Sequence, residues 1–262
     1  EILLPLNMTN NNSTKIEMEE VEPGYYVVSW TVPENMELKD GIIRIEFTDG
    51  FGNTIREEAP GKLTIETEPG KEVELPDGHI WCGGGGYSQS DVYFVANIPT
   101  EEVFTLPHKT GVNGIVKNTM PLNYNGNLID NFTLTFKDGK VVDFSAEQGY
   151  EILKGLLETD EGSLYLGEVA LVPYDSPISN LGIIFYNTLF DENASCHLAL
   201  GAAYPTCLEG GTSMNTEELN AAGVNDSTIH EDFMVGSKDL DIIGITKDGE
   251  EIQIFKDGNW AL

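Results

Sequence analysis

The stretch FTLTFKDGKVVDF (residues 132–144) constrains the fold more than any other part of this chain. Apolar and polar residues alternate on both sides of Asp138-Gly139. That period of two belongs to a half-buried strand, and Asp-Gly is the dipeptide that tolerates the left-handed backbone of a tight hairpin turn. The same combination returns in GIIRIEFTDGFGN (residues 41–53) and in IIGITKDGEEIQIF (residues 242–255), around Asp248-Gly249. SLYLGEVALVP (residues 163–173) and NLGIIFYNTLF (residues 180–190) read as further strands. Helices are few. One is expected from Ser145 as N-cap, with Gln148 completing a capping box and Ile152, Leu153, Leu156 and Leu157 on one face. A shorter one is expected from Asn215, with Glu218 as its capping partner and Gly223 as its stop. The fold class is α+β and β-rich: a larger mixed or antiparallel sheet domain with a few short helices.

A chain of 262 residues suits one large domain or one large and one small. Residues 1–63 differ from the rest, with an aromatic, β-branched strand (GYYVVSWTV, residues 24–32), the 41–53 hairpin and a last short strand in GKLTIETEPG. They read as a small β-sandwich-like module, and EPGYYVVSWTVPEN with TDGFGN resembles the immunoglobulin-like modules of bacterial surface proteins. Residues 64–262 form the second domain.

Net charge is −30, from 14 Lys and Arg against 44 Asp and Glu. Such a surface repels phosphate backbones and anionic lipid heads, so nucleic-acid partners and membrane insertion are not expected. Cations and substrates with a positive end are favoured. Three cysteines, Cys82, Cys196 and Cys207, form neither a CxxC pair nor a disulfide framework. CGGGG (residues 82–86) lacks the GK[ST] ending of a phosphate loop and reads as a loop.

Chemistry concentrates where charge interrupts apolar periodicity. In NDSTIHEDFMVGS (residues 225–237), His230 and Asp232 alternate with Ile229 and Phe233. On a strand, residues i and i+2 share a face about 6–7 Å apart, the spacing of two ligands to one metal. Glu168 sits among Leu166, Ala170 and Val172, where a buried carboxylate needs a cation. DENASCHLALGAAYP adds Glu192 and His197, with Tyr204 seven residues on. Singly, each has an ordinary explanation in core packing or an ion pair. Jointly with Glu102 they offer four carboxylates and two imidazoles without a thiolate, a set suited to zinc, manganese or cobalt in a dinuclear hydrolytic site.

From residue 79 onward the chain resembles the catalytic domain of the M29 metallo-aminopeptidases. The resemblance is carried by NIPTEEVFTLPHKTGVNG, LNYNGNLIDNFTLTFKDGKVVDFSAEQG, the segment from LETDEGSLYLGEV to LGAAYPT, and GVNDSTIHEDFMVGS. It implies release of the N-terminal residue from peptides with a free N-terminus, using two divalent metal ions, zinc first and cobalt or manganese as alternatives. The implied ligands are Glu102, Glu168, Glu192, His197, His230 and Asp232. Tyr204 matches the active-site tyrosine, a candidate donor to the oxyanion of the tetrahedral intermediate. By analogy with other dinuclear aminopeptidases, Glu101 is the candidate proton-transfer carboxylate, which requires an irregular backbone beside Glu102. His108 and Cys196 read as an exposed loop residue and a small packed residue.

Members of the family carry an α/β domain ahead of the catalytic one, whereas residues 1–63 are β-rich. Two readings follow: an active aminopeptidase with an exchanged accessory module, or a surface or binding protein on a metal-stabilised scaffold. The family implies the cytoplasm and possible homodimers; the β module suggests secretion or the cell surface.

Overall fold

Asp138 (φ 49°) and Gly139 (φ 80°) both adopt the left-handed conformation that the hairpin turn demands. The strands they join, Asn127–Lys137 and Lys140–Gln148, form the longest ladder in this computed structural model. The structure describes residues 72–98 and 100–261, and the backbone course of 19–22, 25–27 and 62–66. The chain divides into two compact units, Glu1–Asp49 and Gly50–Leu262. In the first, Glu19–Glu22 pairs antiparallel with Tyr25–Val27. The other expectations for residues 1–61 lie outside the described residues.

The second unit holds two main antiparallel sheets. A nine-stranded sheet runs in the order Leu122–Tyr124, Asn127–Lys137, Val112–Lys117, Glu72–Glu74, Lys62–Glu66, Asp241–Ile245, Glu251–Lys256 and Asn259–Trp260, with Lys140–Gln148 also on Asn127–Lys137. Asp241–Ile245 and Glu251–Lys256 are the hairpin expected around Asp248-Gly249. The second sheet has five strands in the order His230–Met234, His197–Gly201, Leu166–Leu171, Val103–Thr105 and Cys82–Gly83.

One face of the five-stranded sheet supplies core. Val169, Leu198, Leu200 and Phe233 join Phe132, Leu134 and Phe136 of the long hairpin and Leu153, Leu156 and Leu157 of the helix Tyr150–Leu157 in one buried cluster. The Phe132 and Phe233 rings lie 5.5 Å apart. Each such side chain, fully buried, contributes about 1.5–3 kcal/mol, so this face fixes the sheet rigidly and leaves the opposite face for chemistry.

Three expectations are corrected. Ser145 is not a helix cap: it lies in the strand Lys140–Gln148, its hydroxyl 2.7 Å from that of Thr133 across the ladder. The helix begins at Tyr150, after Gly149 at φ 76°. The hairpin ladder satisfies the backbone that a capping box would otherwise serve. Residues 180–190 are not a strand. Asp191 accepts from the amides of Phe185 (2.6 Å) and Asn187 (3.1 Å), curling the segment into a loop that ends in the short helix Thr188–Asp191. The glycine run lies in two short strands, Cys82–Gly83 and Gly85–Tyr87, rather than in a loop. The helix Thr216–Ala221 has the expected capping box, Asn215 with Glu218, and ends before Gly223 at φ 83°. Among the described residues no helix is long and apolar enough to cross a membrane.

Candidate metal centre

The free face of the five-stranded sheet is built around Ala199. In register it stands opposite Glu168 on one neighbouring strand and Asp232 on the other. Directly opposed residues share a face, so a methyl group lies between two carboxylates. His197 and His230 belong to the same face by alternation from Ala199 and Asp232.

Glu168 reaches this face through an irregularity. Leu166 pairs with Leu200, whereas Glu168 pairs with Ala199, so the register shifts between them. Leu166 therefore packs with Leu200 in the core while Glu168 turns the other way. Strict alternation would put Leu166 and Glu168 on one face; the bulge at Gly167 separates them. A Cβ on Gly167 would stand 2.3 Å from the Ala202 carbonyl oxygen and 2.5 Å from that of Gly201, so only glycine fits there.

Both imidazoles are anchored alike. His197 Nδ1 lies 3.0 Å from the Ser195 carbonyl oxygen, and His230 Nδ1 lies 2.7 Å from that of Ala202. A carbonyl only accepts, so each Nδ1 carries the proton and each Nε2 faces inward. His197 Nε2 is 3.1 Å from Glu102 Oε1 and 3.4 Å from Glu168 Oε1. His230 Nε2 is 3.6 Å from Glu168 Oε2 and 3.5 Å from Asp232 Oδ1. Two groups of potential ligand atoms result, Glu102 with Glu168 and His197, and Glu168 with His230 and Asp232, each within 4.8 Å of one another. Glu168 belongs to both. His197 Nε2 and Asp232 Oδ1 are buried and lack hydrogen-bond partners despite these approaches.

In the ion-free protein, protons answer the crowding. Burial pushes Glu168 up to about 7, opposed by His197 and reinforced by Asp232. Burial pushes Glu192 up to about 10, with the charge of Asp232 adding to it. Burial alone would lower both histidines. The adjacent carboxylates of Glu102 and Glu168 instead hold His197 well above its ordinary value, and Asp232 and Glu168 bring His230 up to about 9. Burial would raise Asp232, but His230 and the charge of His197 hold it below the usual carboxylate range.

Glu192 enters from outside the sheet, on the 3₁₀ turn Glu192–Ala194. Its carboxyl accepts from Asn97 Nδ2 at 2.5 Å and lies near enough to Asp232 to feel its charge. Tyr204 rims the face, its ring centroid 4.6 Å from that of His230 and 6.3 Å from that of Phe104. Burial and the carboxylates raise its hydroxyl to about 12. Glu101 and Glu102 precede the strand Val103–Thr105 on non-strand backbone, Glu101 exposed and Glu102 buried. His108 is half-buried against Gly223, and Cys196 is buried with its sulfur 3.3 Å from the Val172 carbonyl oxygen. Asn97 and the small residue Ala199 escaped the sequence reading. The run of small residues in HLALGAA was the available signal for the second, and no periodicity marked the first.

Inward imidazole nitrogens and carboxylate oxygens gathered at this density could hold cations, and the donors, oxygen and nitrogen alone, fit a divalent metal. The chain thus falls among β-sheet proteins that offer carboxylates and carbonyl-anchored imidazoles to divalent ions. Residues 55–260 match the family described as "Thermophilic metalloprotease (M29)", and the chain belongs to that family. It is 67% identical over 204 residues to Aminopeptidase 2 of Geobacillus stearothermophilus, covering 78% of this chain and 48% of that protein. It is 61% identical over 189 residues to Aminopeptidase AmpS of Bacillus subtilis, covering 72% and 46%. The solved structure of wild-type AmpT from Thermus thermophilus superposes with a TM-score of 0.71 at 41% identity, covering 78% of this chain and 50% of that one. The chain spans about half the length of these relatives.

Proposed function

We propose that this chain carries the catalytic centre of a metal-dependent aminopeptidase that removes N-terminal residues from peptides at a pair of divalent ions. One observation carries the reading: two carbonyl-anchored imidazoles aim their Nε2 atoms at carboxylates, and Glu168 serves both groups. The relatives' names, aminopeptidases at 61–67% identity, support the activity.

Glu102, Glu168 and His197 would hold one ion, and Glu168, Glu192, His230 and Asp232 the other, with zinc the first candidate and cobalt or manganese next. Bound ions would supply Lewis acidity toward the scissile carbonyl and bring a water's pKa near neutrality. The chain's own residues do the rest. Tyr204, its hydroxyl raised to about 12, stays protonated across physiological pH and donates to the developing oxyanion. Glu101, exposed beside Glu102, is assigned the proton transfer from water to the leaving amine. The surplus of carboxylate charge attracts the substrate's ammonium group and orients its free end. A homodimer belongs to the same reading; light scattering on the purified chain checks it.

The test is hydrolysis of leucine p-nitroanilide against its N-acetylated form, with and without chelator. Turnover of the free amine alone, lost with chelator and restored by zinc or cobalt, is expected. No turnover with two ions bound per chain overturns the activity and leaves a metal-stabilised binding scaffold.

A further inference from the structure

We propose that Asn97 is a positioning residue that orients Glu192 toward the ions, an inference that rests on Glu192 being a ligand. Glu168, His197, His230 and Asp232 have backbones fixed by the ladder of one sheet. Glu102 lies next to the strand Val103–Thr105 of that sheet. Both imidazoles are further pinned through Nδ1 to backbone carbonyls. Glu192 has neither support. It projects from a helical turn outside the sheet, on a side chain with three rotatable bonds, and a wrong rotamer would carry its carboxylate out of reach.

Asn97 supplies the missing constraint. Its Oδ1 accepts from the amide of Ile98 at 2.7 Å, which decides which end of the side-chain amide faces which way. A backbone N–H only donates, so Nδ2 must point away from it, and it meets Glu192 Oε1 at 2.5 Å. One carboxylate oxygen is thereby held by a neutral donor, and the other is left for the cluster. Asn97 does for Glu192 what the Ser195 and Ala202 carbonyls do for the two histidines. The match is chemical as well: a positive donor here would compete with an ion for the carboxylate, and a second carboxylate would repel it.

The experiment is a double-mutant cycle on the full chain, read as zinc affinity by competition with a chromophoric chelator and as the cobalt absorption spectrum. Wild type, Asn97→Ala, Glu192→Ala and the pair are compared. Partners that hold a metal ligand typically change affinity about 10–100-fold. Asn97→Ala is expected to weaken one of the two ions by that order, with a changed cobalt spectrum, and to cost nothing further in the Glu192→Ala background. Asn97→Asp keeps the size and the Ile98 bond but replaces the donor by a negative acceptor. It is expected to weaken the same ion at least as much, which separates the effect from misfolding. Two outcomes overturn the proposal while sparing the ligand reading: Glu192→Ala weakens one ion while both Asn97 variants bind like wild type, or the two alanine losses add. Unchanged affinity in Glu192→Ala overturns the ligand assignment, and this proposal with it.

Discussion

Replacing Glu168 by glutamine separates the stability of this domain from its metal chemistry. The carboxylate is buried where the two ligand groups meet, within 3.4 Å of His197 through one oxygen and 3.6 Å of His230 through the other. Burial moves it from 4.5 to about 7 in the ion-free protein. At ~1.4 kcal/mol for each tenfold change in proton affinity, holding the charge above neutrality costs roughly 3 kcal/mol. The sign follows from proton counting. Through that window the native state binds the proton more tightly than the unfolded chain, so ion-free stability falls as pH rises and the penalty is complete above about pH 8. Glutamine has the same shape without the charge. In chelator at about pH 8.5, Glu168→Gln is expected to be more stable by about 2–4 kcal/mol, raising Tm by roughly 5–12 °C for a domain of this size. At about pH 5 the gain should vanish, because both proteins are then uncharged at this position. Zinc reverses the order. At a hundredfold excess over Kd it adds about 2.7 kcal/mol to wild type and should add little to the variant. Thermal unfolding followed by circular dichroism reads all of these conditions. A variant less stable than wild type in chelator at high pH, or stabilised equally by zinc, refutes the argument.

Ala199→Leu fills the gap between Glu168 and Asp232; overpacking costs about 1–3 kcal/mol, and zinc binding measured by competition should be lost in a protein that remains folded. Tyr204→Phe should lower kcat about 10²–10³-fold in a leucine p-nitroanilide assay while leaving metal content by mass spectrometry unchanged. With His197 held well above its ordinary value and His230 at about 9, ion binding at pH 7 should displace at least one proton. Calorimetry in buffers of different ionisation enthalpy counts the protons, and apparent affinity should rise with pH up to about 9. Asp160 accepts from Ser163 N, Ser227 Oγ and both the amide and hydroxyl of Thr228, tying the approach to the Glu168 strand to the approach to the His230 strand. Those bonds hold its carboxyl far below the usual range, so the stability they give is full at neutral pH and declines as pH falls below about 4. Asp160→Ala should cost about 1–3 kcal/mol in urea at pH 7, allowing for solvent screening, and less in acid.

The sequence revealed the parts of this molecule that repeat with a short period. The hairpin around Asp138-Gly139 declares itself through alternation and two positive φ values, and His230 with Asp232 through the same alternation. The longer-range facts were out of reach. Nothing in spacing brings Glu102 to His197, ninety-five positions away; that contact depends on which strands neighbour one another. Ser145 carried a sound local capping signal, and cross-strand pairing overruled it. Residues 180–190 are apolar enough for a strand, yet one buried carboxylate, Asp191, collects their amides into a loop. Asn97 has no pattern at all, because its importance lies in a single contact made through space.

The irregular register at Gly167 means that the distance between hydrophobic anchor and metal-facing acid is counted in an odd way along this strand. Straightening that stretch into a regular pleat at the same length would put Leu166 and Glu168 on one side and turn the shared acid into the oily face of the sheet. A catalytic centre transplanted onto an idealised strand by copying side chains alone would therefore arrive facing backwards. What has to be carried across is the kink.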